Sequence, residues 1–300
     1  CACLVGSEMC IRDREEARKI DPRYEVDDIV ETEVTPRNFG RIAAQNAKQV
    51  VVQRIREAER GMVFEKFSSR ENDIVTGIIQ RMENKNVYID LGKAEAILTP
   101  NEQIPGEIYQ YHDRMKTYIV EVKKTSKGPQ IMVSRTHPGL LKRLFELEVP
   151  EIHDGLVEIK SVAREPGMRS KISVYTKDEN IDPVGACVGH KGMRVQTIVN
   201  ELRGEKIDIV KYSSEPDQYV ANALSPAKVV STEVLEEEKI CRVIVPDYQL
   251  SLAIGKEGQN ARLAAKLTGW KIDIKSESQA AEEAEQGAQE VGVAYEADED

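Results

Sequence analysis

The sequence predicts a multidomain protein of the α+β class, and three observations support that prediction. Apolar residues recur at helical spacing over residues 38–60. Five short runs rich in Val, Ile and Tyr follow between Asp73 and Arg135. A strand–helix pattern then occurs twice between residues 157 and 276, and each copy contains Gly-x-x-Gly.

Composition indicates a globular protein without a membrane span. Hydrophobic residues make up 40% and charged residues 31% of the 300 positions. No apolar run approaches the roughly 18–20 residues that a bilayer span needs, and no basic-then-apolar leader is present. We therefore expect a cytoplasmic protein with no membrane partner.

The acidic residues are concentrated at the C-terminal end. The net charge is −10, but residues 276–300 hold nine acidic residues and no Lys or Arg. The remainder has 43 acidic and 42 basic residues and is nearly neutral. The acidic composition therefore does not exclude a nucleic-acid partner, because phosphate contacts depend on local basic faces. We expect residues 277–300 to form a disordered tail, or alternatively an anionic competitor for an RNA-binding face.

The cysteine pattern predicts neither a metal site nor a disulfide framework. Cys187 and Cys241 lie alone in apolar stretches and are expected to be core thiols. The other three crowd the first ten residues without Cys-x-x-Cys or Cys/His spacing. Residues 1–14, CACLVGSEMCIRDR, show no clear period and are interpreted as a non-native leader, with the natural sequence resuming near Glu15.

The first half of the chain predicts a long helix and then a small barrel. The helix over 38–60 is expected to end at Gly61, either packed on its own domain or connecting two domains. Five short strands in about 65 residues suit a barrel of the OB type. Such barrels commonly bind single-stranded nucleic acid, although many bind protein. Residues 136–150 are expected to form a helical connector.

The repeated pattern is strand, strand, short helix, Gly-x-x-Gly, helix, strand. The glycine-bracketed turns occupy residues 189–192 and 255–258, and the closing segments read GEKIDIV and GWKIDIK. A helix is also predicted before the second copy, near PDQYVANAL. Glycine allows a tight turn with positive φ, and the next helix offers free N–H groups to an anion. The alternative is a plain helix–turn–helix with glycine caps.

A nucleotide-binding P-loop is excluded by spacing. That motif needs four residues between its glycines and then Lys-Ser/Thr. Here Gly185 and Gly189 are separated by three residues, and Lys191 is followed by Gly192.

The two copies resemble KH domains of type II, and we label them KH1 (137–213) and KH2 (214–276). In KH domains the Gly-x-x-Gly loop clamps about four nucleotides. The resemblance implies that each turn and the helix after it contact RNA. The residues concerned are Gly189, His190, Lys191, Gly192 and Arg194 in KH1, and Gly255, Lys256, Glu257, Gly258 and Arg262 in KH2.

An S1-type OB barrel (73–136) before two KH domains, behind a long helix, resembles the NusA family. Stretches such as NFGRIAAQNAKQVVVQRIREAER, IDPVGACVGHKGMRVQTIVNELRG and LAIGKEGQNARLAAKLTGWKIDI are similar to that family. Residues 15–72 then correspond to the last part of the polymerase-binding N-terminal domain and a linker helix. Asp27 and His112 stand where glycines of the family are expected.

The resemblance implies a monomeric RNA-binding transcription factor that modulates pausing, termination and antitermination. Its expected partners are single-stranded nascent RNA, RNA polymerase and other Nus antitermination factors, with no cofactor, metal or catalytic residue. The alternatives are an RNA-processing module associated with exoribonucleases and a ribosomal RNA-binding module. Asp90 and Arg135 are candidates for RNA contact on the barrel, or else ordinary turn and surface charges.

Overall fold

The computed structural model describes residues 22–23, 39–125, 128–178 and 180–282. The chain divides into two compact units, Cys1–Arg60 and Gly61–Asp300. The predictions for residues 1–14, for Asp27 and for most of the acidic tail concern positions outside the described residues.

The predicted long helix is present and is longer than expected. Helix α1 (Phe39–Ser68) continues through Gly61, so the prediction that it ends there was wrong. In the first unit its side chains Val50, Val51 and Ile55 are more than half exposed. In the second unit Phe67 is buried in the barrel core, with Val63 and Phe64 packed against the same cluster. This burial outweighs the roughly 1 kcal/mol that an interior glycine costs a helix.

The five predicted strands form a closed barrel. They are β1 (Ile74–Glu83), β2 (Asn86–Asp90), β3 (Glu95–Leu98), β4 (Arg114–Thr125) and β5 (Gly128–Ser134). The strand order is β1-β2-β3-β5-β4, and β4 pairs with β1 to close the barrel. Only β3 and β5 pair in parallel among these strands. His112, where the resemblance led us to expect glycine, has a φ of 69°, so the backbone there keeps a conformation that glycine favours.

KH1 has the predicted element order with two helices in front. Helices α2 (Pro138–Glu148) and α3 (Pro150–His153) precede β6 (Val157–Glu165) and β7 (Arg169–Thr176). Then come α4 (Pro183–Val188), α5 (Met193–Glu201) and β8 (Lys206–Lys211). The sheet order is β6-β7-β8, antiparallel and then parallel. Leu140, Leu141, Leu144 and Phe145 of α2 are buried in the KH1 core, so α2 is more than the connector that we expected.

KH2 repeats this topology. Its elements are α6 (Pro216–Ala223), β9 (Ser231–Leu235), β10 (Ile240–Val245), α7 (Leu250–Ile254), α8 (Gln259–Thr268) and β11 (Lys271–Ser276). Strands β9 and β10 pair antiparallel, and β10 and β11 pair in parallel. Helix α6 lies where PDQYVANAL predicted it. Residues 277–282 are helical, so the prediction of disorder from residue 277 was wrong for these six residues.

Buried polar groups join the barrel to KH1. The Arg135 side chain is 1% exposed and pairs with Glu107 at 2.5 Å. It also donates to the carbonyls of Lys116 in β4 and Glu201 in α5. Both interpretations of Arg135, as an RNA contact and as a surface charge, were therefore wrong. Asp90 is exposed and accepts a hydrogen bond from the Gly92 amide at 2.7 Å, as in a turn.

KH1 contributes two buried residues to the hydrophobic core of KH2. Ala163 and Val210 of KH1 lie in the same buried cluster as Val220, Leu263 and other KH2 residues. Across the boundary Ser161 Oγ lies 2.8 Å from the Tyr219 hydroxyl. Lys171 of β7 is fully buried and donates to the carbonyl of Ser225, which follows α6 of KH2, at 2.7 Å. The two KH domains therefore pack as a pair.

Both isolated cysteines are core thiols, as predicted. Cys187 and Cys241 are buried in the KH1 and KH2 cores. Burial raises the pKa of Cys187 to about 12, so this thiol stays protonated. Separately, none of the helices described here has the length and apolarity needed to cross a membrane.

Candidate nucleic-acid interface

The first glycine of each turn has a backbone conformation that is essentially restricted to glycine. Gly189 has φ 72° and ψ 178°, and Gly255 has φ 75° and ψ 172°. A Cβ atom added at Gly189 would lie 2.7 Å from Arg194 Cγ, and one at Gly255 would lie 2.8 Å from Asn260 Cβ. Both the backbone angles and the close approach of the next helix therefore require glycine.

The rest of the two turns also matches. Gly192 and Gly258 are left-handed, with φ of 77° and 73°. The residue before each is left-handed although it is not glycine: Lys191 has φ 51° and Glu257 has φ 54°. The same loop is thus built twice, in KH1 and in KH2.

Each loop leads directly into a helix of nine or ten residues, α5 and α8. The first N–H groups of a helix have no partner within it, and the helix dipole makes this end favourable for an anion. His190, Lys191, Lys256 and Glu257 are all exposed on the loops. An exposed cation beside a helix N-terminus is suited to bind a phosphate group.

Arg194 makes contacts within KH1. Its guanidinium lies 2.9 Å from a Glu151 carboxylate oxygen and donates to the Ala186 carbonyl at 2.6 Å. The Ala186 carbonyl lies near the C-terminal end of α4, where carbonyl groups lack helical partners. Arg194 therefore closes the turn from α4 into α5.

Arg262 connects the second loop to KH1. It donates to Glu165 at the end of β6 at 2.7 Å, and Gln259 donates to the other oxygen of the same carboxylate at 2.7 Å. The pKa of the Glu165 carboxyl is held below its ordinary value, and the hydrogen bond from Arg262 is the largest cause. Arg262 also donates to the Glu257 carbonyl within the loop.

The two arginines are not in equivalent positions. Arg194 lies five residues after Gly189, and the residue five after Gly255 is Asn260. Asn260 is buried and donates to the carbonyls of Ala253 and Leu224, so it closes its turn as Arg194 does. Counting from the first glycine could have given this register. The roles of Glu151 and Glu165 depend on tertiary contacts that have no local sequence signal.

The charges of the two loops differ although their backbones agree. The KH1 loop carries His190 and Lys191, whereas the KH2 loop carries Lys256 and Glu257. The KH1 loop is therefore cationic, whereas the charges of Lys256 and Glu257 cancel in the KH2 loop.

Family models match four consecutive parts of the chain. Residues 12–61 match the NusA N-terminal domain, and residues 68–134 match the S1 RNA binding domain. The NusA-like first KH domain matches residues 135–212, and the NusA-like second KH domain matches residues 216–282.

Several relatives are similar over most of the chain, and each is called transcription termination/antitermination protein NusA. The protein of Halalkalibacterium halodurans is 71% identical over 89% of this chain and 70% of its own length. The Bacillus subtilis protein is 70% identical over 89% of this chain and 72% of its own length. The Thermus thermophilus protein is 46% identical over 86% of this chain and 67% of its own length.

Proposed function

The chain belongs to the NusA family of transcription termination/antitermination proteins, and from that premise we propose that its S1 barrel, KH1 and KH2 together hold single-stranded nascent RNA. The family is one of RNA-binding transcription factors rather than enzymes. The RNA held on this surface, together with polymerase contacts, would promote pausing and hairpin folding at terminators. With other Nus factors the same surface would serve antitermination.

The observation that carries the proposal is the duplicated loop. Two turns with matching backbone angles each place an exposed lysine at the N-terminus of a helix. A phosphodiester strand is an extended row of anions, so two such turns on one pair of packed domains suit a single strand.

The packing between the domains supports one extended surface. Ala163 and Val210 of KH1 pack in the KH2 core, and the buried Arg135–Glu107 pair contacts both barrel and KH1 groups. Domains that are already fixed lose less conformational freedom when a long RNA binds across them.

The ten candidate residues divide into two roles. The four glycines with His190, Lys191, Lys256 and Glu257 form the loops that approach the sugar–phosphate strand. Arg194 and Arg262 already pair with Glu151 and Glu165, so we assign them to positioning the loops, with the phosphate contact made by backbone amides and the two lysines.

The remaining partners follow from the family. We propose that the protein acts in the cytoplasm as a monomer, on RNA polymerase and with other Nus factors. The polymerase contact would involve residues 12–61, which match the N-terminal domain of the family.

Lys191→Asp tests the RNA contact. Asp tolerates the left-handed backbone of Lys191, so the loop should keep its shape while its charge is reversed. We expect the affinity for single-stranded RNA to fall about 10-fold or more at low salt. The thermal midpoint should barely change because the side chain is exposed.

Lys239→Asp is the matched control. Lys239 is also exposed and left-handed, with φ 52°, but it lies in the turn between β9 and β10. The control should bind RNA as the wild type does. If Lys191→Asp and Lys239→Asp have the same affinity for RNA, the loop is not the contact and the proposal fails.

A further inference from the structure

An exposed aromatic ring lies just ahead of the second loop. Tyr248 is 82% exposed, more than any other large hydrophobic side chain in the described ranges. It belongs to a 3₁₀ turn, Asp247–Gln249, that runs directly into α7 and then into Gly255. Leu252 and Ile254 of α7 are also exposed, at 47% and 37%. Three exposed apolar side chains therefore occur between the start of this turn and the loop.

The backbone that carries Tyr248 is fixed on both sides. Asp247 accepts hydrogen bonds from the Ser278 hydroxyl at 2.7 Å and the Ser278 amide at 3.3 Å. Gln249 accepts one from the Lys228 amide at 2.6 Å. The ring thus extends into solvent from a turn that is tied to two distant segments. A rigid aromatic anchor loses little conformational entropy when it binds a ligand.

We propose that Tyr248 is a stacking platform for one nucleobase of the same RNA strand, beyond the phosphate contact at the Lys256 loop. The inference rests on the proposed function and adds a base-binding position to it. Ile254 lies six positions after Tyr248, which is roughly 9 Å of helix. That distance is within the reach of a strand that leaves the loop along α7.

The local charges favour a base over a phosphate at this position. The carboxylate of Asp247, the residue before Tyr248 in the turn, repels phosphate, whereas any nucleobase presents a π-face to an aromatic side chain. Lys228 is exposed beside the same turn and is available to a neighbouring phosphate. Stacking of this kind tolerates different bases, so Tyr248 would add affinity without specifying a sequence.

The test compares Tyr248→Ala with Tyr248→Phe in the whole chain. The probe is a fluorescein-labelled single-stranded RNA selected from a random pool by the wild-type protein. We expect Tyr248→Ala to weaken binding about 5- to 100-fold and Tyr248→Phe to stay within about 2-fold, because the phenyl ring still stacks. The slope of log affinity against log salt should not change for Tyr248→Ala, since no phosphate contact is lost. Leu147→Ala, which removes a 61%-exposed side chain from α2, should bind as the wild type does.

A second series removes one base of this RNA at a time. One abasic position should weaken wild-type binding as much as Tyr248→Ala does, and that position should no longer matter in Tyr248→Ala. The inference is overturned if Tyr248→Ala binds like Leu147→Ala while Lys191→Asp still loses affinity, and the proposed function then stands. It is also overturned if Tyr248→Phe is as weak as Tyr248→Ala, or if no abasic position is coupled to the ring. If the wild type selects no RNA, the proposed function and this inference both fail.

Discussion

The two Gly-x-x-Gly loops have the same backbone but unequal electrostatics. The left-handed position holds Lys191 in KH1 and Glu257 in KH2. The arginine after each loop is already paired, Arg194 with Glu151 and Arg262 with Glu165, so the difference in charge lies in the loop residues themselves. We therefore expect the KH1 loop to contribute more to the salt-dependent part of RNA affinity, while the KH2 loop contributes mainly through backbone amides.

Glu257→Lys should strengthen RNA binding. The change gives the KH2 loop a lysine at the left-handed position, where KH1 already accommodates Lys191. We expect the affinity to rise about 3- to 10-fold at low salt and the gain to shrink at high salt. The reciprocal change, Lys191→Glu, should weaken binding with the same salt dependence. An affinity for Glu257→Lys that stays at the wild-type value at low salt would contradict a phosphate at this loop.

At the scale of residues, the sequence predicted what the backbone dictates and missed what tertiary contacts dictate. The paired glycines were found because positive φ and close packing leave few alternatives to glycine. The side-chain roles of Arg194, Arg262 and Arg135 depend on Glu151, Glu165 and Glu107, which are 43, 97 and 28 residues away in sequence. No local pattern identifies such partners.

At the scale of elements, a buried ion pair fixes the sheet of KH1. The Arg164 and Glu205 side chains are 0% exposed and pair at 2.8 Å, with a second hydrogen bond at 2.9 Å. Ser170 and the Gly167 amide also donate to Glu205, and Arg164 donates to the His137 carbonyl before α2. Burial alone would raise the pKa of Glu205, but Arg164 and these donors outweigh it and hold the pKa below the ordinary 4.5.

Arg164→Met should destabilise the protein by about 3–5 kcal/mol at neutral pH, because it leaves a buried carboxylate without its partner. The pH dependence should also change sign. In the wild type Glu205 stabilises the fold above its ordinary pKa, and this contribution is lost as pH falls through the lowered folded pKa. In the variant, burial raises the folded pKa, so stability should rise as pH falls and the carboxyl takes up a proton.

Urea denaturation over a pH series measures both effects. The double variant Arg164→Met, Glu205→Met is the control, since it removes the unpaired charge; it should recover part of the stability and lose this pH dependence. An Arg164→Met protein as stable as the wild type at neutral pH would show that the pair is not the constraint on the sheet.

Element types were predictable where periodicity was strong, and element ends were not. The five barrel strands and the repeated strand–helix order follow directly from alternating and helical patterns. The end of α1 was misjudged because the burial of Phe67 in the barrel core overrides the preference of Gly61 to end a helix. Likewise, the spacing of the apolar residues of α2 predicted a helix, but it did not predict that they are buried in the KH1 core.

At the scale of the whole molecule, contacts between domains determine how the loops are presented. Glu165 of KH1 accepts hydrogen bonds from Gln259 and Arg262, which lie at the start of the helix behind the KH2 loop. The orientation of the KH2 loop is therefore set partly by KH1. At the position seven residues after the first glycine, Arg262 of KH2 reaches the neighbouring domain, whereas Gln196 of KH1 donates to Asn200 in its own helix.

Deleting residues 283–300 should leave RNA affinity equal or stronger. The deletion removes seven acidic residues and no Lys or Arg. The negative electrostatic potential that repels phosphate at the loops can therefore only decrease. It begins at residue 283 because Ser278 and Gln279 hydrogen-bond to Asp247 and Ser276 of KH2. If the tail competes with RNA, the gain should be about 2- to 10-fold at low salt and should vanish at high salt. A chain of full length with those seven residues changed to Asn and Gln separates charge from length, and it should behave like the deletion. Clearly weaker RNA binding by the neutralised chain would mean that the acidic side chains help to bind RNA rather than oppose it.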